Sequence, residues 1–398
     1  MPPATGYGST EPLVHEDEPL KFSWQEGFDL VDKTVKKIKL FLIIFAVIFL
    51  LLLLLNASSL VLIVVKLFLP NSRNGVSSTS TTVQQYEEYL TEYPTNAQRN
   101  RSAFERLLNF KRSVHLISKL NERSTSTKFG LTKFADWNEK DIRKMLLPVN
   151  VNITTLAELG ALNTAIPEAL LLTHKNESAN FDWRTKHVIT RVKDQGECAS
   201  CWAFATIGAV EAANSIESGS PPINLSEQEL LDCNLHNIGC YGGNTFIAIL
   251  YVALNGSMTA SSYPYEAMRG PCRKNGSVAT VSTWVGLPNS ENVMLNWVRY
   301  YGTFTVSLRV TKDFFHYKSG IYVPLEDCTD YRKIIGFHSM LVVGFGTDEK
   351  GVKYWIVKNS WGDKWGMNGY VHYVRGRNAC GIEDNAVAAY GGGLPFWP

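Results

Sequence analysis

Charge of one sign is what this chain conspicuously lacks: 39 basic residues stand against 37 acidic ones in 398, a formal net charge of +2. So small a balance gives no reason to expect nucleic acid as a partner. Cysteine is absent from the first 197 residues, and all seven cysteines (198, 201, 233, 240, 272, 328 and 380) fall in the last stretch. Only one C-x-x-C occurs, Cys198 to Cys201, whereas a structural zinc site wants clustered pairs. No βαβ pattern precedes it, which argues against a thioredoxin-type redox pair. No metal or cofactor is therefore expected.

Charge is missing altogether from Leu40 to Val65, with an unbroken apolar run from Leu40 to Leu55. A helix of that length spans a hydrocarbon core of about 30 Å. A buried soluble helix would keep a polar face, and this stretch has none. Ala57-Ser58-Ser59 could serve a signal peptidase, but residues 1–38 make a long leader for a cleaved signal peptide. Residues 39–65 thus read as an uncleaved signal anchor. Lys33, Lys36, Lys37 and Lys39 outnumber Lys66 and Arg73, which sets residues 1–38 as a cytoplasmic tail and the remainder as lumenal or extracellular. The first 20 residues, rich in Pro, Gly and acid, are expected to be disordered.

Residues 66–83 contain Ser77-Ser78-Thr79-Ser80-Thr81-Thr82 and read as a linker. Gln84 to Leu90 and Ala97 to Asn121 read as two helices parted at Pro94, with Arg106, Phe110, Val114, Ile117 and Asn121 sharing a face. Gly130 to Asp136 alternates like a short strand. Residues 147–175 are weakly patterned and read as a connector, and residues 176–398 are long enough to bury a substantial core.

In an oxidising compartment disulfides are the first expectation, and an odd count leaves one thiol over. Six cysteines allow 15 pairings, and spacing alone does not choose among them. Cys201 sits where a glycine-punctuated loop (Gln195-Gly196-Glu197-Cys198-Ala199-Ser200) turns into an apolar helical run, a setting that favours a thiolate. His338 opens a buried-strand pattern, His338 to Gly346. Alone it would more often be structural, but Tyr354 to Gly362 places Asn359 and Trp361 at the end of a second strand.

These residues resemble the papain family of cysteine proteases. His338 and Asn359 follow Cys201 by 137 and 158 residues, close to the separation of roughly 130–150 that marks the family. Gln195, Cys201-Trp202, His338 and Asn359-Ser360-Trp361-Gly362 stand in the family's order. So do Leu225 to Cys233, Gly239-Cys240-Tyr241-Gly242-Gly243 and Tyr263-Pro264-Tyr265. Upstream, the helix with Arg106, Phe110, Ile117 and Asn121, followed by Gly130, Phe134 and Asp136, resembles the family's inhibitory prosegment. Ser102 and Ser113 stand where Glu and Asn are usual. An anchor ahead of a prosegment is also similar to the papain-like protease precursors of piroplasm parasites.

The resemblance implies an α+β, papain-like two-domain fold, with a helical left domain and a β-barrel-like right domain. A helical prosegment (84–146) and one N-terminal transmembrane helix would precede it. By position it pairs Cys198 with Cys240, Cys233 with Cys272 and Cys328 with Cys380, each bridge stabilising by about 3–4 kcal/mol. That leaves Cys201 as nucleophile, His338 as base and then acid, Asn359 to orient His338, and Gln195 with the Cys201 amide as oxyanion hole. Trp361 would shield the His338–Asn359 bond. Gly242 and Gly243 would pair with an extended peptide, and Asn244, Thr245, Ser307, Ser339 and Asn385 would line the S2 pocket. Asn385 carries no charge, so a strong preference for basic residues there is not expected. Phe337 stands where a polar residue is common, so a shifted pH–rate profile is expected. No room exists for an occluding loop, which favours endopeptidase action. Partners would be protein and peptide substrates, the chain's own prosegment as inhibitor, the membrane through residues 39–65, and cystatin-like inhibitors. The compartment would be lysosome-like, food-vacuole or secretory, with maturation near Lys175–Asn180.

Two other classes compete. A catalytically silent binding protein would usually have lost Cys201, His338 or Gln195, and all three are present. An adhesive surface protein would need neither a prosegment nor a lone thiol, and active-site thiol labelling separates it from the enzyme. Asn152, Asn176, Asn224, Asn255 and Asn275 open N-x-S/T sequons, so a glycoprotein is expected.

Overall fold

The computed structural model describes residues 35–45, 76–94, 101–148 and 178–391. Residues 35–45 are helical and belong to a separate unit ending at Arg73. No helix among the described residues is long and apolar enough to cross a membrane. Most of the expected anchor, the first 20 residues, nearly all of the connector, Asn152 and Asn176 lie outside the described residues.

The second unit begins with α1 (Val76–Glu92) and α2 (Ala103–Arg123). α1 starts inside the stretch read as linker. Its Ser/Thr run is a poor helix former, but a helix nucleated farther along propagates at little cost per added residue. α2 starts later than expected because Ser102 caps it: its hydroxyl accepts the Glu105 amide at 3.1 Å. The two helices join through Tyr86, Tyr89, Tyr93 and Phe110, with the Phe110 ring 5.0 Å from Tyr86 and 5.1 Å from Tyr89. The hydroxyls of Tyr86 and Tyr89 both donate to the buried Asp136 carboxylate, at 3.1 and 3.2 Å.

Beyond α2, β1 (Thr127–Phe129) pairs antiparallel with β5 (Tyr317–Tyr322), making this upstream segment an edge of the main sheet. The Asn121 side chain clamps β1 through both the N–H and the C=O of Phe129, each at 2.9 Å. Gly130 to Asp136, expected as strand-like, is instead a pair of turns: Ala135 N–H bonds Thr132 O and Trp137 N–H bonds Phe134 O. Burial does not alternate as a strand would have it: Thr132 is buried, and so are Phe134, Ala135, Asp136 and Trp137 in succession, because the turns fold this segment against the sheet. The short helix α3 (Glu139–Arg143) follows, capped by Asn138.

After β2 (Phe181–Asp182), the helical layer consists of α4 (Cys201–Ser218), α5 (Glu227–Cys233) and α6 (Thr245–Asn255). α4 is buried almost all round, and its Gly208 allows Leu341 of the sheet to come close: a Cβ there would meet Leu341 Cδ2 at 3.0 Å. Gly219 ends α4 at φ 64°. Ser226 caps α5 by accepting the Glu229 amide at 3.0 Å.

The sheet layer has β3 (Thr283–Leu287), helix α7 (Glu291–Tyr300), β4 (Phe304–Val310), β5, β6 (Gly336–Thr347), β7 (Lys353–Lys358), β8 (Tyr370–Val374) and β9 (Ala386–Tyr390). The strand order is β1-β5-β8-β7-β6-β4-β9-β3, with β2 also on β6; β5 and β8 run parallel and the other pairs antiparallel. β6 separates two cores. Leu341 and Val343 face the helical layer, while Met340, Val342 and Phe345 face the barrel side. Covered on both faces, β6 reads as a continuous apolar run. The architecture is α+β with a mixed sheet. Disulfides join Cys198–Cys240, Cys233–Cys272 and Cys328–Cys380, and Cys201 is free and buried.

Candidate active site

The loop before α4 carries Gln195, and the first helical residue is Cys201. Ser200, at the helix start, makes no side-chain cap, since its hydroxyl bonds Tyr265 at 2.6 Å instead. The Trp202 and Cys201 amides at the open helix start favour the thiolate form of Cys201. Ser339, the neighbour of His338 on β6, also favours the thiolate through its backbone and hydroxyl.

β6 and β7 bring His338 and Asn359 together: His338 Nε2 lies 2.7 Å from Asn359 Oδ1. His338 Nδ1 and Asn359 Nδ2 are buried without a hydrogen-bond partner. Trp361 stacks on the His338 ring, with centroids 4.5 Å apart, and covers this bond. Gln195 is fixed at both ends. Its backbone N–H donates to Ser360 O at 2.9 Å, and Ser360 Oγ donates to Gln195 Oε1 at 2.7 Å. Gln195 Nε2 donates to two carbonyls, Cys198 O and Met145 O, both at 2.8 Å.

That last contact belongs to the upstream segment, which runs through the cleft. Leu147 N–H and C=O pair with Phe337, at 2.8 and 2.9 Å. Pro148 and Leu147 approach Gly242, where an added Cβ would stand 3.4 Å from Pro148 Cδ. Gly243 admits no side chain at all, because a Cβ would lie 2.5 Å from the Trp202 indole. On the far side, Phe134 meets Trp361 and Phe315 edge-on at 5.1 and 5.2 Å, and Lys133 Nζ binds both Asp194 oxygens at 2.7 and 2.6 Å.

Covering the site changes its protonation. Burial pushes the Cys201 thiol up to about 11, although Ser339 and Trp202 favour the thiolate. Burial likewise pushes His338 down to about 4, against its Asn359 bond. The sequence setting favours a thiolate, but with the cleft covered both partners are neutral.

The comparisons with known proteins agree with this layout. Residues 177–390 match the papain family cysteine protease model, and residues 86–142 match the cathepsin propeptide inhibitor domain. The chain belongs to the papain family. Cathepsin L1 of Drosophila melanogaster is 36% identical over 322 residues, covering 77% of this chain and 85% of that protein. Pro-cathepsin H of Bos taurus is 36% identical over 289 residues, covering 70% of this chain and 82% of that protein. Digestive procathepsin L2 from Tenebrio molitor larval midgut superposes with a TM-score of 0.68 at 29% identity, over 78% of this chain and 99% of that one. This papain-family chain is a cysteine protease zymogen with its propeptide in place, and the segment in the cleft is that propeptide.

The expected site residues separate into two groups. Cys201, Gln195, His338, Asn359 and Trp361 converge on the cleft, with Gly242 and Gly243 at its rim. Of the expected S2 residues, Ser307 and Ser339 are cross-strand partners whose hydroxyls lie 2.8 Å apart. The Asn244 oxygen caps α6, accepting the Phe246 and Ile247 amides at 2.8 and 3.2 Å, and the residue is half-buried. Thr245 is buried in that helix, and Asn385 is half-buried just before β9. Sequence reading gave no role to Tyr265, whose hydroxyl donates to Gln195 O at 2.8 Å, nor to Ser360 or Met145. Tyr265 stood in a recognised motif and Ser360 between two assigned residues. A backbone carbonyl such as that of Met145 carries no sequence signal.

Proposed function

We propose that the chain is a cysteine endopeptidase made as a membrane-anchored zymogen. Cys201 attacks the scissile carbonyl, His338 takes the thiol proton and returns it to the leaving amine, and Asn359 holds the imidazole. Gln195 Nε2 and the Cys201 amide stabilise the oxyanion, and water then hydrolyses the thioester. The observation that carries this reading is the Gln195 bond to Met145 O at 2.8 Å: a peptide carbonyl of the propeptide accepts from the side-chain amide that this mechanism assigns to the oxyanion.

The uncharged stretch 39–65 and its basic N-terminal flank support a single-pass type II anchor, with the protease in a lumenal, extracellular, lysosome-like or food-vacuole compartment, as in precursors of the piroplasm type. Cystatin-like inhibitors would suit the same cleft once the propeptide has left it. The exposed Asn224, Asn255 and Asn275 are the sequons offered for glycosylation.

The test compares the full chain with its Cys201→Ala form, each acidified and offered a thiol-trapping epoxide and a peptide library. Labelling and cleavage confined to the Cys201 form are expected. Silence in both, from properly oxidised protein, leaves a papain-fold binding protein. Protease protection of an N-terminal tag on sealed vesicles tests the anchor, and loss of the tag to alkaline extraction would remove it from the reading.

A further inference from the structure

Lys133 and Phe134 sit on the side of the cleft where the leaving part of a substrate must depart. His338 returns its proton to the leaving amine, so that segment exits along the His338–Trp361 side. There the protein offers a carboxylate beside an aromatic wall. Asp194 is held in place on three counts: an antiparallel bridge to Trp361, a bond from the Gly196 amide to Oδ1 at 3.0 Å, and close approach to Gly362, where a Cβ would meet Oδ2 at 3.0 Å. Its side chain stays 47% exposed even with Lys133 bound. Neighbouring Lys193 does not neutralise it, because that amine is turned inward onto Glu211 and Glu227, at 2.8 and 2.6 Å.

We propose that Asp194, with the Trp361–Phe315 wall, forms a leaving-side subsite that selects substrates with a lysine or arginine one to three residues after the scissile bond. Lys133–Phe134 fills this subsite in the zymogen as a cationic–aromatic pair. This inference rests on the endopeptidase reading. A cation bound there is attracted and an anion repelled, and for a half-exposed pair the two effects together amount to about tenfold in kcat/KM.

The experiment uses the full chain in detergent, matured by acid, and quenched fluorescent peptides identical up to the scissile bond. They carry Lys, Ala or Glu at each of the three following positions. Cleavage of the Ala peptide reports whether the enzyme reading stands, independently of the subsite. The Lys peptide is expected to exceed the Glu peptide by about tenfold at low salt, with the ratio shrinking as salt rises. Asp194→Asn should flatten that ratio and Asp194→Lys invert it. An unchanged ratio in Asp194→Asn, or no Lys–Glu difference in the unmodified enzyme, overturns the proposal. An equal loss on all three peptides in Asp194→Asn also overturns it, by assigning Asp194 to holding the Gln195 loop.

Discussion

Cys201 and His338 show how the same two side chains are silent or reactive according to what covers them. Burial holds the thiol near 11 and the imidazole near 4, so neither is charged at pH 5–7 while the propeptide lies in the cleft. Uncovering the site returns water to both groups, letting thiolate and imidazolium stabilise each other. Alkylation by iodoacetamide at pH 6 should therefore be slow for the intact chain and at least a hundredfold faster after maturation. Equal rates would mean the propeptide does not control the thiol. Ser360 acts one step behind the chemistry. Its hydroxyl is the donor that fixes Gln195 Oε1 and aims Nε2. A neutral hydrogen bond contributes about 1 kcal/mol, so Ser360→Ala should lower kcat about fivefold with KM little changed. Gln195→Ala should cost about 10²–10³. Steady-state kinetics on matured protein separate the two.

At the scale of elements, the propeptide is a small helical body with its own core, joined to the enzyme by a strand. Phe110 is fully buried among Tyr86, Tyr89 and Tyr93, all propeptide residues. Phe110→Ala should destabilise that body by about 3–5 kcal/mol while leaving the enzyme's two cores intact. The expected readout is cleavage by the full chain at neutral pH, before any acidification, together with rapid trypsin nicking of α1 and α2. A chain that stays inhibited would place the inhibition in the cleft segment alone. The helical face that carries Phe110 was legible from its spacing, as were the β6 and β7 runs that present His338 and Asn359. Two features were not legible. The spacing of Thr132, Phe134 and Asp136 fits a strand as well as successive turns, and only the backbone bonds distinguish these. The Lys133–Asp194 pair joins residues 61 apart, and nothing local marks either as the other's partner.

Across the whole molecule, propeptide and enzyme meet at a cavity of about 320 Å³ beside His316. Ser113, smaller than the family's usual Asn, is among its lining residues, with Arg112, Leu116, Phe134 and Glu139 from the propeptide and Lys312, Phe315 and His316 from the enzyme. His316 O accepts the Gly130 amide at 2.8 Å, yet its ring Nδ1 is buried without a partner. Burial pushes this histidine from 6.5 down to about 4. The charges facing it are Arg112 and Lys312, and Glu139, whose carboxylate is held low chiefly by its bond to Lys312. Glu139 pairs with Lys312 at 2.6 Å, so a proton on His316 is opposed chiefly by burial, with no hydrogen-bond partner at Nδ1 to receive it. The docked pKa is depressed, so docking is at full strength above pH 6.5 and weakens as pH falls towards 4. At pH 5 this one group should loosen the propeptide about thirtyfold, given a released histidine near 6.5. His316→Phe removes the titration, so its processing should need a lower pH and rise less steeply with acid. Gel densitometry of the full chain between pH 7 and 4 measures both. Superimposable profiles for the two proteins would assign acid release to other groups.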